Sequence, residues 1–438
     1  MNCVIIGAGA AGLSAAEEIR KLDPAAGITM ISAEPEIYSR CMLHQYLGGE
    51  RSLTSMRFVP EDFFERLNID VLKNCRVTSI QEAEHNVVLE DGTSIPYDRL
   101  LIATGATYFV PPIPNFRDAE NVFGFREIED IKRITASSEK LGECAVIIGG
   151  GLIGLDAAYG MMRRGYQVTL IEKEARLMPL QADDYVSGLL KQVFEEEGCH
   201  VLLGAEVKDS VTDENDMITK VVLADGTDIP CDFVVAAASV KPQMDFLEGT
   251  SIQALYMNYH IHTVLSRFLK KTDIHVNKGL EVDAYMRTNS SDIYAAGDVT
   301  GLSAIWPDAR LMGRCAARNM CAGDTYKPEL YQFKNTANFY GLVLFSAGKT
   351  VVDEERYEVL VQQGKTSYRK LILKDGILEG VLMTGDLSNA GVYLHALTHR
   401  LNLDGMRGRL FRLSFADWYG IDEENGEYRY TMEGRECS

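Results

Sequence analysis

The 438-residue chain has no apolar run near the roughly 18 residues that a membrane-spanning helix needs. Its longest apolar stretches are strand-length, so a membrane-embedded protein is not expected. Nine cysteines are present (Cys3, Cys41, Cys75, Cys144, Cys199, Cys231, Cys315, Cys321 and Cys437), but no C-x-x-C pair and no zinc or iron–sulfur spacing. No metal or cluster is expected, and in a reducing compartment most of these thiols should be free and buried. Positive charge is also short: 44 Lys and Arg against 63 Asp and Glu leave −19. That balance argues against nucleic acid and against an anionic membrane surface as partners. Met1 runs almost directly into the first apolar strand, without space for a signal peptide, so a cytoplasmic location is expected. The apolar share of 46% and charged share of 24% are those of ordinary globular cores. The length implies about two to four domains.

Against these absences stand two glycine turns, Gly7-Ala8-Gly9-Ala10-Ala11-Gly12 and Gly149-Gly150-Gly151-Leu152-Ile153-Gly154. Each follows a short apolar strand (Cys3 to Ile6, Ala145 to Ile148) and opens an apparent helix. In such a loop the first glycine makes the tight turn, the second lets backbone approach a pyrophosphate, and the third lets helix and strand pack closely. The helix N-terminus then offers unpaired N–H groups to the phosphates. A single match is weak evidence. Two in strand–turn–helix context, each followed by an acid (Glu34, Glu172), point to two bound dinucleotides and hydride passed between them. Glu34 can accept both hydroxyls of an adenosine ribose. Glu172 lies 23 residues beyond Gly149, where an acid accepts a 2′-hydroxyl and repels a 2′-phosphate. NADH is therefore favoured over NADPH, although Lys173 and Arg176 stand nearby.

The two halves repeat one plan. Strand Ile28 to Ser32 is matched by Gln167 to Ile171, the hairpin turn Asp91-Gly92 by Asp225-Gly226, and strand Arg99 to Ile102 by Phe233 to Ala237. The stiff stretch Val110 to Pro114 marks a boundary, and Lys241-Pro242 marks another. A third segment carries Asp292-Ile293-Tyr294-Ala295-Ala296-Gly297-Asp298 and a helix from about Ala309 to Met320. Strands at 342–345, 369–373 and 378–383 and a helix over 393–401 follow. The end, Asp417 to Ser438, is acidic and aromatic and is expected to be extended or loosely held.

Tyr38-Ser39-Arg40, Leu101-Ile102-Ala103-Thr104-Gly105, the segment 292–298, Trp306-Pro307-Asp308-Ala309, Asn319-Met320 and Leu344 to Gly348 join the glycine turns in one resemblance. It covers about residues 1 to 400. The chain resembles the FAD- and pyridine-nucleotide-dependent disulfide-oxidoreductase superfamily, in its NADH:rubredoxin reductase and nitrite-reductase flavin-domain branch. The resemblance implies an α/β protein with two Rossmann-like dinucleotide-binding domains, the NAD domain inserted in the FAD domain, and a C-terminal α+β interface domain. Its expected boundaries are 1–110 and 239–326 for FAD, 111–238 for NAD(H), 327–410 for the last domain and 411–438 for an acidic tail. The resemblance also implies that FAD is held by Gly7, Gly9, Ala10, Ala11, Gly12, Glu34, Arg40, Val77 through its backbone, Ala103, Thr104, Gly105 and Gly297. Asp298 would accept a hydrogen bond from the ribityl chain. NADH would be held by Gly149, Gly151, Ile153, Gly154, Glu172 and the turn at Ser239.

Three departures from the branch bear on chemistry. Cys41 replaces its usual proline and matches the redox cysteine of coenzyme A disulfide reductases, persulfide reductases and NADH oxidases. It is either a redox or persulfide-carrying thiol or a small residue without turnover. His44, three residues on, is either a thiolate stabiliser or a plain polar helix position. Asp156 stands where the family mostly has glutamate, facing flavin and nicotinamide, and Ser239 where it usually has glycine. A surplus at about 250–271 reads as an amphipathic helix bearing Tyr256, Tyr259, His260 and His262, either a surface cover or a docking element. Cys437 reads as an incidental tail thiol or, as in some superfamily members, a mobile redox shuttle.

The function implied is hydride uptake from NADH and electron delivery to a redox protein or partner subunit. The alternatives are a disulfide or persulfide reductase or an NADH oxidase using Cys41, and, in a different class, a non-catalytic nucleotide sensor. A homodimer and a hetero-complex both stay open.

Overall fold

The computed structural model describes residues 1–253, 279–323, 326–328, 330, 334–421 and 428–430. Two units are defined within it. The first comprises Met1–Pro112, Phe116–Gly142 and Val235–Leu330, the second Ile113–Asn115, Glu143–Val234 and Tyr331–Ser438.

The first unit is built on a parallel sheet in the order Ile293–Ala295, Arg99–Ile102, Asn2–Ile6, Gly27–Ser32 and Asp70–Lys73. Apart from the edge strand Asp70–Lys73, these strands are near-continuous apolar runs because both faces of a parallel sheet are covered. Helices Ala10–Leu22 and Trp306–Ala322 pack against each other over Ala11, Ala15, Met312 and Ala316, all buried. Small residues let them approach: a Cβ on Gly313 would lie 2.2 Å from the carbonyl oxygen of Ala11. Arg318 Nε closes the contact on Glu18 at 2.6 Å. A small antiparallel sheet, Val77–Gln81, Asn86–Leu89 and Ser94–Pro96, carries the predicted Asp91-Gly92 turn.

On sequence alone the segment 116–142 is expected in the NAD(H) domain. Residues 116–142 group with the first unit. Its helix Ile128–Leu141 starts in a capping box of Glu127 and Asp130. The Ile128 N–H donates to the Tyr38 hydroxyl at 2.9 Å, and Gly124 lies so close beneath the Tyr108 ring that a Cβ there would meet it at 1.9 Å.

The second unit repeats the opening of the first. Strands Cys144–Ile148 and Gln167–Glu172 and the helix Leu152–Arg164 match Asn2–Ile6, Gly27–Ser32 and Ala10–Leu22 in length. Gly149 N–H donates to Ile171 O at 2.8 Å, as Gly7 N–H does to Ile31 O at 2.8 Å. Four consecutive strands of its sheet run in the order His200–Leu203, Gln167–Glu172, Cys144–Ile148, Phe233–Ala236. The unit also holds a five-stranded antiparallel sheet in the order Asn335–Phe339, Leu342–Gly348, Ile377–Thr384, Tyr368–Lys374 and Glu358–Gln363. Helix Ala390–Thr398 covers one face through Val392, Tyr393 and Ala396. The buried Lys370 ammonium donates to Asp183 at 3.1 Å and the Tyr368 hydroxyl donates to the same oxygen at 2.7 Å. This fastens that sheet to the turn that caps helix Asp184–Glu196.

The C-terminal core runs past the expected boundary at 410. Leu413 and Trp418 are buried with Tyr393, and Tyr419–Ile421 pairs antiparallel with Tyr428–Tyr430. The acidic composition of this stretch masked two large apolar anchors. Tyr256, Tyr259, His260, His262 and Cys437 lie outside the described residues. Among the described residues no helix is long and apolar enough to cross a membrane. Nor is any group of three or more His, Cys, Asp or Glu placed to hold a metal ion.

Candidate active site

The first glycine turn opens a cavity of about 710 Å³ within the first unit. Small-molecule sites span roughly 300–1,000 Å³. The three glycines are not equivalent. Gly7 has φ +111°, and a Cβ on it would sit 2.2 Å from Ala103 O. One on Gly12 would sit 2.0 Å from Gly7 O, whereas one on Gly9 meets nothing within 4 Å. The first and third are thus consumed by packing, and the second faces open cavity. Ala10 and Ala11 in the first turn of helix Ala10–Leu22, with Trp306 and Ala309 in that of Trp306–Ala322, also line it. Both helices therefore present N-terminal ends to the space, suited to an anionic ligand.

Most of the sequence-predicted residues of this half converge here. Gly7, Gly9, Ala10, Ala11, Glu34, Arg40, Cys41, Val77, Ala103, Thr104, Gly105, Gly297 and Asp298 all line the cavity. Gly12 supports the turn from behind. The Thr104 hydroxyl donates to Gln243 O at 2.8 Å, which fixes the loop after the strand Arg99–Ile102.

Glu34 has company that the sequence did not disclose. The Tyr38 hydroxyl donates to Oε1, and Arg40 Nη2 donates to Oε2 at 2.8 Å. Burial pushes its carboxyl up, while Arg40 and the Tyr38 bond pull the other way. Ser32, not Glu34, occupies the strand-end position equivalent to Glu172, since Gly27–Ser32 and Gln167–Glu172 align residue for residue. Ser32 Oγ accepts from Glu34 N–H at 3.2 Å. In the second unit Glu172 carries the matching bond from Glu174 N–H at 2.8 Å and adds one from Gly150 N–H at 2.5 Å.

Cys41 is exposed and lies in the single 3₁₀ turn Arg40–Met42, ahead of the short helix Leu43–Leu47. His44 does not line the cavity. Burial lowers its pKa to about 4, so at neutral pH it offers no positive charge to a neighbouring thiolate. Part of the cavity wall is aromatic: Phe58 meets Trp306 edge-on at 5.1 Å.

In the second unit, Gly149, Gly151, Ile153 and Gly154 form the repeated turn. A Cβ on Gly151 also meets nothing within 4 Å. Asp156 sits two residues past Gly154 on the helix Leu152–Arg164. It keeps some surface, yet protein mass encloses its carboxyl, and that enclosure raises the pKa to about 8. Ser239 falls in the first unit, where its carbonyl accepts from Phe109 N–H at 3.0 Å. Arg126, which no sequence motif singled out, lines the first cavity and pairs with Asp298 at 2.8 Å.

Two repeated strand–glycine-turn–helix units, each with an open second glycine, define a dinucleotide-dependent oxidoreductase. Residues 1–313 match the pyridine nucleotide-disulphide oxidoreductase family and residues 334–401 the rubredoxin NAD+ reductase C-terminal domain. The chain belongs to that family and is an NAD(P)H-dependent flavin oxidoreductase. It is 31% identical over 397 residues to a nitrite reductase [NAD(P)H] of Bacillus subtilis, covering 88% of this chain but 46% of that protein, about half its length. It is 27% identical to the NADH-dependent phenylglyoxylate dehydrogenase subunit epsilon of Aromatoleum evansii, covering 93% of both. Among solved structures, a NAD-dependent persulfide reductase from A. fulgidus matches with TM-score 0.79 and 28% identity, over 93% of this chain and 79% of that one.

Proposed function

We propose that the chain takes hydride from NADH, with FAD held in the first unit, and delivers the electrons to a redox protein or partner subunit. One observation carries this reading: a single cavity runs from the open Gly9 amide to an aromatic wall at Phe58 and Trp306. Bound FAD supplies the chemistry, accepting an electron pair and releasing it singly. The chain supplies binding and orientation. Gly9 and two helix N-termini would meet the pyrophosphate, Arg40, held by Glu34, would supply positive charge to it, and Asp298 would present a carboxylate to the polyol. The relative of matching length is by name a subunit of an NADH-dependent dehydrogenase, which supports a role inside a hetero-complex.

NADH is the donor this site favours. Glu172 places negative charge at the strand end, where a 2′-phosphate would lie. The two nearby cations are taken by acids, Lys173 by Glu206 at 2.9 Å and Arg176 by Asp184 at 3.1 Å. Those exposed pairs are weak, so Glu172 carries most of the choice.

The thiol route keeps one supporting observation: Cys41 is exposed on the cavity lining, and a persulfide reductase is among the similar structures. Anaerobic NADH titration of the wild type and Cys41→Ser, followed by absorbance and by turnover with rubredoxin or ferredoxin, separates the two. Electron delivery to a protein predicts plain bleaching and unchanged turnover in Cys41→Ser. A long-wavelength thiolate–flavin band in wild type, with acceptor turnover lost in the variant, would transfer the assignment to the thiol route. Protein purified without flavin would overturn both.

A further inference from the structure

Arg126 has no role in the reading above, yet it is fixed from several sides. Its Nη2 donates to Asp298 Oδ2 at 2.8 Å, with the two side chains 15% and 18% exposed. Its carbonyl accepts from Arg40 Nη1 at 3.3 Å, and its backbone N–H donates to Asp130 Oδ2 at 2.8 Å. The residue thus connects the pair at Glu34 and Arg40 to Asp298, one wall of the cavity to another.

The charge balance of that cavity makes the contact consequential. Among the described residues, five carboxylates line it (Glu34, Glu36, Glu127, Asp245, Asp298) against three guanidinium groups, Arg40, Arg76 and Arg126, a net of −2. Arg40 is already committed to Glu34. A pyrophosphate adds further negative charge, and a flavin gains more as it is reduced. In a half-buried site such charges repel far more than in water.

Building on the FAD assignment, we propose that Arg126 is the counter-charge of Asp298, a positioning residue that aims the carboxylate into the cavity and cancels its charge beside the flavin. Loss of the guanidinium strands a carboxylate. The cofactor then binds less tightly, and its reduced form suffers more than its oxidised form.

The test uses the full-length protein and four variants: Arg126→Met, Arg126→Lys, Asp298→Asn and the double variant Arg126→Met/Asp298→Asn. FAD affinity is read from quenching of flavin fluorescence on adding FAD to stripped protein. The midpoint potential of the holoprotein is read by equilibration with a reference dye. Arg126→Met should weaken FAD binding about tenfold and lower the potential by about 30 mV, the two-electron equivalent of a tenfold loss for reduced over oxidised flavin. Arg126→Lys should recover most of the potential. The double variant should also recover it, because no stranded charge remains. A merely structural arginine predicts no such rescue. A wild-type potential in Arg126→Met, or a double variant no better than Arg126→Met, overturns the proposal. Wild-type protein that binds no FAD would instead overturn the assignment on which it rests.

Discussion

The glycine turn of the first unit should separate folding from cofactor binding within one motif. Alanine at position 9 adds a methyl that meets no protein atom within 4 Å, and the native φ of −88° and ψ of −167° suit any residue. Its effect on the apoprotein should be near zero, or stabilising by about 0.5 kcal/mol through the unfolded chain. The methyl occupies space where a pyrophosphate must approach. Losing about two charge-assisted hydrogen bonds there, at roughly 1.5–3 kcal/mol each, weakens FAD by about 10²–10⁴-fold. Gly7→Ala behaves oppositely. Its Cβ overlaps the Ala103 carbonyl at 2.2 Å, and φ is +111°. Strain of about 1–3 kcal/mol and overpacking of a similar size should lower the apoprotein Tm by roughly 10 °C. The assay is a thermal melt of stripped protein beside fluorescence titration with FAD, since bound ligand would raise Tm by itself. If Gly9→Ala melts as low as Gly7→Ala, or binds FAD as tightly as wild type, the reasoning is refuted.

Two further predictions concern the second unit. Glu172→Gln keeps an acceptor but removes a charge whose repulsion of a 2′-phosphate at about 5 Å is worth roughly 2 kcal/mol. The kcat/KM ratio of NADH to NADPH should therefore fall at least tenfold, and an unchanged ratio would show that the acid does not choose the donor. Asp156 binds its proton more tightly folded, at about 8, than unfolded, at 3.8. Its contribution to stability is full below pH 4 and lost as pH rises through 8. Asp156→Asn should flatten the fall in Tm across that window, and a slope identical to wild type would refute the raised pKa.

What the sequence disclosed was local. Both glycine turns, the hairpins at Asp91 and Asp225, and the strand at 292–298 are written in neighbouring residues, so spacing alone places them. Arg126 was illegible because its partner Asp298 lies 172 residues away, and because the proline stretch at 111–114 drew the domain boundary ahead of it. The engagement of Glu34 by Tyr38 and Arg40 was hidden for a different reason. An acid after a strand reads as a ribose acceptor until the side chains around it are placed. Trp418 was lost in an acidic stretch, where composition outweighed a single buried ring.

The pairing of Ser32 with Glu172 has a consequence for how a repeated unit diverges. If the second unit serves NADH as proposed, it must tell that donor from its phosphorylated twin, and the acid at the strand end is the residue placed to do so. FAD has no such twin. If the first unit holds FAD as proposed, the equivalent position there has nothing to reject, and Ser32 merely ties its own loop. The carboxylate two residues on is then available to hold an arginine. One position in a shared scaffold thus records which of the two ligands has a competitor.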